Sequence, residues 1–174
     1  FSIFNPRYAN GGNYGSTLID INDDGALDVY IAKCKMFVES FTSPDRINLL
    51  YKGDGKGNFE EVKGGNGLAD GAQSWTGNFA DLDNDGDIDV LSASDGDNKI
   101  AWYENNGANN FSAEQIITAN APSAKFVYAT DLDGDGDNDI VSTIGEIYNE
   151  ISWYENDGNG SFGNKQVIDY FEGS

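Results

Sequence analysis

Three acidic stretches share one internal spacing: "DINDDGALD" at 20–28, "DLDNDGDID" at 81–89 and "DLDGDGDND" at 131–139. Nothing else in the chain constrains its fold as much, because the surroundings repeat with them. Each stretch runs into an apolar segment ("LDVYIA", "IDVLSA", "NDIVST") and then a second one ending in "LLY", "AWY" or "SWY". From that tyrosine to a later phenylalanine the distance is eight residues each time: Tyr51 to Phe59, Tyr103 to Phe111, Tyr154 to Phe162. The intervening "KGDGKGN", "ENNGANN" and "ENDGNGS" have the Gly/Asn/Asp content of tight hairpin turns.

Each unit therefore predicts four short strands: one entering the acidic loop, one leaving it, one ending in the aromatic pair, one after the phenylalanine. Repeats of roughly 50 residues with four strands suit a β-propeller blade. No stretch carries sustained helical periodicity, and 22 glycines are scattered throughout. The expected fold is all-β: three consecutive four-stranded β-propeller blades, with units at approximately 14–70, 71–122 and 123–174. Three blades do not close a ring, which takes about four to eight. The start at Phe1 and the stop at "VIDYFEGS" match that picture of a piece of a larger propeller. The open blade edges would then be covered by further blades or by a partner.

The first unit also carries an insertion. Asp20 to Tyr51 spans 31 residues, against 22 from Asp81 to Tyr103 and 23 from Asp131 to Tyr154. The extra residues lie within "KCKMFVESFTSPDR", where Met36, Phe37 and Phe41 stand beside Lys33, Lys35 and Arg46. Two readings apply: a loop folded over its own blade, or a contact surface.

The acidic pattern is D-x-[DN]-x-D-G-x-x-D. Oxygen-bearing side chains at positions 1, 3 and 5 converge if the backbone curls, and glycine at 6 permits the turn. A main-chain carbonyl at 7 and an aspartate at 9 complete a set suited to calcium, which takes six to eight oxygens at roughly 2.3–2.6 Å. The candidate ligands are Asp20, Asn22, Asp24, the carbonyl of Ala26 and Asp28; Asp81, Asp83, Asp85, the carbonyl of Asp87 and Asp89; and Asp131, Asp133, Asp135, the carbonyl of Asp137 and Asp139. Three Ca2+ ions are expected, one per loop, with the side chains of Asp87 and Asp137 turned to solvent. The first loop should bind more weakly, since Asn22 replaces an acid. An EF-hand would need glutamate at position 12 and flanking helices, but that position holds Ile31, Ser92 and Ser142. Plain polar turns would account for one loop better than for three in register.

These loops, with the "YENNGANNF" and "YENDGNGSF" turns, resemble the FG-GAP/VCBS repeat family, which is similar to the calcium-binding blades of integrin α-subunit propellers. The first unit, "INLLYKGDGKGNFEEV" before "GLADGAQSW", further resembles the variant in bacterial secreted proteins with an ASPIC/UnbV-type tail. "WYENDGNGSFGNKQVI" is similar to surface and secreted proteins of the Bacteroidetes type. The resemblance implies an extracellular or bacterial cell-surface propeller, calcium as a structural ion, and a role in adhesion, scaffolding or ligand binding.

The net charge of −20 argues against nucleic acid and anionic membrane surfaces, and no apolar run approaches a membrane span. Histidine is absent, which removes the usual general base and most zinc chemistry. With one cysteine, Cys34, no internal disulfide forms, and the residue reads as a small buried hydrophobe. A catalytic carboxylate pair would occur once, whereas these recur in metal loops, so no enzyme is expected. Trp102-Tyr103 and Trp153-Tyr154 serve either as interblade core or as sugar-stacking platforms of a carbohydrate-binding propeller. Trp75 packs at the core or rim, or lines a top-face site. The glycine of "TGNFAD" fits crowding near a propeller axis. The partner, a protein or glycan ligand, is not named by the residues; an enzyme-associated propeller is the remaining alternative.

Overall fold

The segment after each acidic loop is a run of β-branched and apolar residues, and each forms the second strand of a four-stranded antiparallel sheet. In this computed structural model, residues 13–33, 47–63, 68, 74–107, 110–145 and 149–171 are described. The expectations for Cys34 and for the insertion residues 34–46 (Lys35, Met36, Phe37, Phe41 and Arg46) lie outside the described residues, as does the side chain of Trp75.

Blade 1 comprises β1 (Asn13–Ile19), β2 (Asp28–Lys33), β3 (Leu49–Gly53) and β4 (Phe59–Glu61). Blade 2 comprises β5 (Ser74–Ala80), β6 (Asp89–Ser94), β7 (Lys99–Tyr103) and β8 (Gln115–Thr118). Blade 3 comprises β9 (Ala124–Thr130), β10 (Asp139–Ile144), β11 (Glu150–Tyr154) and β12 (Gln166–Tyr170). Within every blade the strands lie in chain order. The all-β architecture of three four-stranded blades is therefore the observed one.

Ladder register explains why the loops superimpose. The residue before position 1 pairs with position 9 in each blade: Ile19 with Asp28, Ala80 with Asp89, Thr130 with Asp139. The next pairing is equally regular, with Val29 opposite Tyr51, Val90 opposite Tyr103 and Ile140 opposite Tyr154. The eight-residue tyrosine-to-phenylalanine spacing closes as three similar turns, each with one backbone bond: Asp54 N to Asn58 O, Asn106 N to Asn110 O and Asp157 N to Ser161 O, at 3.1–3.2 Å.

Because strand side chains alternate, each blade presents two apolar faces. Tyr30, Ala32 and Leu50 of blade 1 pack with Val90, Tyr103 and Phe111 of blade 2. Leu91, Ala93, Ile100 and Trp102 of blade 2 pack with Val127, Ile140, Ile144 and Tyr154 of blade 3. Trp102 and Tyr103 thus point to opposite faces, and both are buried between blades at 3% exposure. Edge-to-face rings cross each seam, Tyr30 on Phe79 at 5.4 Å and Trp102 on Phe162 at 6.4 Å. Gly77 is required at the first seam, since a Cβ there would stand 2.6 Å from the Tyr30 ring. The crowding at "TGNFAD" thus comes from a neighbouring blade's aromatic side chain.

The two ends of the stack differ. On the leading face of blade 1, Val29, Ile31, Leu49 and Tyr51 are buried in a cluster that, among the described residues, is drawn from blade 1. On the trailing face of blade 3, Phe126 and Tyr128 stack at 6.5 Å and are 46% and 50% exposed.

Candidate metal sites

The chain curls around each acidic loop through two left-handed residues. Position 4 (Asp23, Asn84, Gly134) has φ of 52°, 61° and 86°, and position 6 (Gly25, Gly86, Gly136) has 82°, 95° and 102°. Asp, Asn and Gly are the residues that tolerate this conformation. The curl turns backbone N–H groups inward. The carboxylate at position 1 accepts from position 6 in each loop: Gly25 N to Asp20 at 2.8 Å, Gly86 N to Asp81 at 3.1 Å, Gly136 N to Asp131 at 3.2 Å. Position 3 accepts from the N–H of position 5, and position 5 from that of position 7.

Position 9 is the hub. Asp28, Asp89 and Asp139 are at most 1% exposed. One carboxylate oxygen accepts from the loop at position 2: Ile21 N at 3.2 Å, Leu82 N at 2.8 Å, Leu132 N at 3.1 Å. The other accepts from the end of the third strand or the turn after it: Gly53 N, Asn105 N and Asn156 N, each at 2.8 Å. A single side chain thus ties the acidic loop to the next hairpin of its blade.

In the second and third loops the carboxylates gather. Oxygens of Asp81, Asp83 and Asp89 lie within 4.8 Å of one another, as do those of Asp131, Asp133 and Asp139. Burial pushes the Asp89 carboxyl up to about 7. Burial, with Asp85, Glu104 and Asp81 adding like charge, also raises Asp83. Oxygen Oδ1 of Asp81 is buried with no hydrogen-bond partner. An all-oxygen set with an orphaned buried oxygen fits a hard divalent cation, whose charge reverses the cost of ionising neighbouring carboxylates.

The structure brings positions 1, 3 and 9 together. Asp85 and Asp135, at position 5, are exposed, and each turns one oxygen to its own loop's backbone. The side chains of Asp87 and Asp137 do not point to solvent as expected. Both are half-buried against the turns at Gly107 and Gly158, where the missing Cβ leaves room, and Asp137 accepts from Asn84 Nδ2 at 2.7 Å.

The first loop is built differently. Asn22 stands at position 3, and its Nδ2 donates to Asp24 Oδ2 at 3.0 Å. The Lys52 ammonium lies 2.9 Å from the same oxygen. Its hydrogen bond, followed by those of Ala26 and Asn22, lowers the Asp24 pKa, and Asp24 in turn raises that of Lys52. Asp20 and Asp28 keep the backbone bonds of their counterparts, and the Ala26 N–H bonds to Asp24 Oδ1 at 2.9 Å.

Sequence reasoning missed a polar latch between blades. The Asn105 amide donates to the carbonyl of Ile21 at 3.0 Å in the preceding blade and to Ile88 O in its own. Asn156 does the same for Leu82 O at 2.8 Å and Asn138 O at 2.9 Å. The signal was present in the sequence as Tyr-Glu-Asn at 103–105 and 154–156, where the first unit has Tyr-Lys-Gly. Asn138 adds a bond to Asp81 O at 3.0 Å, so the second loop is held from outside by blade 3.

A family model described as FG-GAP-like repeat matches residues 20–92, 81–142 and 131–173. No curated protein matches the chain. Among solved structures, the chain is similar to an Agrocybe aegerita lectin described by its recognition of non-reducing terminal N-acetylglucosamine. The TM-score is 0.56 at 23% identity, over 88% of this chain and 37% of the lectin. The holotoxin pore of Photorhabdus luminescens Tc aligns with a TM-score of 0.41 at 16% identity, over 91% of this chain and 9% of the toxin chain. The likeness to the lectin is one of fold, and the chain spans little more than a third of that protein's length.

Proposed function

The chain belongs to the FG-GAP-like repeat family, and from that premise we propose that it is a calcium-stabilised propeller segment of an extracellular or cell-surface protein, acting without catalysis in adhesion, scaffolding or protein–protein contact. The observation that carries the calcium reading is the pair of carboxylate triads, Asp81/Asp83/Asp89 and Asp131/Asp133/Asp139. Bound calcium would supply the divalent charge that these carboxylates lack. The chain's own residues do the rest: positions 1 and 3 line the curl, and position 9 joins it to the hairpin behind. Holding the loop therefore holds the blade, which is a structural role for the ion. Magnesium, which demands near-octahedral geometry and keeps its waters, suits a loop of converging protein oxygens poorly.

The partner reading rests on the trailing face of blade 3. Leu132 is 45% exposed where Leu82, its counterpart in blade 2, is 1% exposed under blade 3. A further blade or a protein with an apolar sheet face would cover it. The carbohydrate alternative loses its first platform, since Trp102 and Tyr103 are buried between blades. The extracellular assignment draws on the family, and no helix among the described residues is long and apolar enough to cross a membrane.

Thermal unfolding in about 1 mM calcium against excess chelator tests the metal reading. A ligand at 100 times its dissociation constant adds about 2.7 kcal/mol per site. Two sites at about 2–4 °C per kcal/mol should raise the midpoint by on the order of 10–20 °C. Equal midpoints in calcium and chelator would leave the aspartates as turns only.

A further inference from the structure

We infer that the first acidic loop takes Lys52 in place of a metal ion, so that this chain binds two calcium ions, both in the loops at 81–89 and 131–139. The inference rests on the calcium reading of those two loops. Lys52 follows Tyr51 directly, as Glu104 follows Tyr103 and Glu155 follows Tyr154. The three tyrosines hold the same register opposite Val29, Val90 and Ile140, so residues 52, 104 and 155 occupy one structural position. At that position the charge is inverted in blade 1 alone.

The consequence is visible in the loop. Asp24 Oδ2 receives the Lys52 ammonium at 2.9 Å and the Asn22 amide at 3.0 Å. Position 3 thus presents a donor to position 5 instead of an oxygen to a cation. Counting positions 1, 3, 5 and 9 with the residue after the tyrosine, blade 1 has three carboxylates and one ammonium, whereas blades 2 and 3 have five carboxylates each. A divalent ion entering the first loop between Asp20 and Asp28 would meet the Lys52 ammonium already seated on Asp24 beside them, and like charges brought that close repel. Among the described residues, the carboxylate triads occur at the second and third loops. Blade 1 therefore carries its own counter-ion, and its loop stays closed when calcium is withdrawn.

Native mass spectrometry and calcium titration calorimetry on the full chain test this by count. Wild type should bind two ions per chain. Lys52→Glu, which installs the residue of the other blades and leaves the Asn22 carbonyl as a neutral ligand, should bind three. Asp24→Ala should still bind two, which keeps the test available if Lys52→Glu does not fold. Three ions on wild type, two on folded Lys52→Glu, or an ion lost from Asp24→Ala would each overturn the inference. A count of zero on folded wild type would instead overturn the calcium reading beneath it.

Discussion

Blades 2 and 3 carry nearly the same residues on their trailing faces and meet different surroundings. In blade 2, Leu82, Leu91, Ile100 and Trp102 are at most 3% exposed against blade 3. Their counterparts Leu132, Val141, Ile151 and Trp153 range from half-buried to 45% exposed. The strands, loops and turns are alike, so the difference lies in the neighbour. A blade is completed by the next one, and its apolar pattern specifies a seam whether or not that seam is made.

Matched substitutions can break this comparison. The largest effect is expected for Trp102→Ala, which should cost about 3–5 kcal/mol in urea unfolding. Trp153→Ala should cost less than half of that, and equal losses would mean that the seam adds little. Leu82→Ala should cost about 2–4 kcal/mol against less than about 1 kcal/mol for Leu132→Ala. Asn156→Ala, which strips the donor from two carbonyls at the seam, should cost about 1–3 kcal/mol. Its effect should fall mostly on blade 3 and the second loop, as read by amide hydrogen exchange.

The finest cut concerns Asp89 in chelator. Its carboxyl, raised by burial to about 7, keeps its proton in the folded chain where the unfolded chain has released it near 3.9. Calcium-free protein should therefore lose stability steadily as pH climbs from about 4 to 7. A midpoint flat over that range, or rising, would show that Asp89 is ionised throughout.

The strands were readable because alternation and the Tyr–Phe spacing are local, and the loops because five fixed positions recur. The set of gathered oxygens was not. Asp85 and Asp135 satisfy their own backbones, and the place of Asp137 depends on Asn84, 53 residues away in the chain. Position 4 could have been read, since Asp, Asn and Gly there all favour the left-handed region. The Lys52 inversion was equally visible in the sequence, one residue beyond an aligned tyrosine, but it acts on a loop more than twenty residues earlier. Only the hairpin register brings the two together.

The amide latches give the stack a direction. Asn105 reaches back from blade 2, and Asn156 from blade 3, each gripping a loop carbonyl of the blade before. Gly53 has no side chain to reach back, and a Cβ there would collide with the Leu27 carbonyl. Grip through these two asparagines therefore passes from each later blade to the one ahead of it, while at the second seam Asn84 of blade 2 also reaches forward to Asp137 and to the Gly158 carbonyl of blade 3. Under a pulling force at the C-terminal end, blade 3 should peel away first and take the clasp on blade 2's loop with it. The array would then yield in discrete steps from that end, as a ratchet releases tooth by tooth, with blade 1 the last to give way.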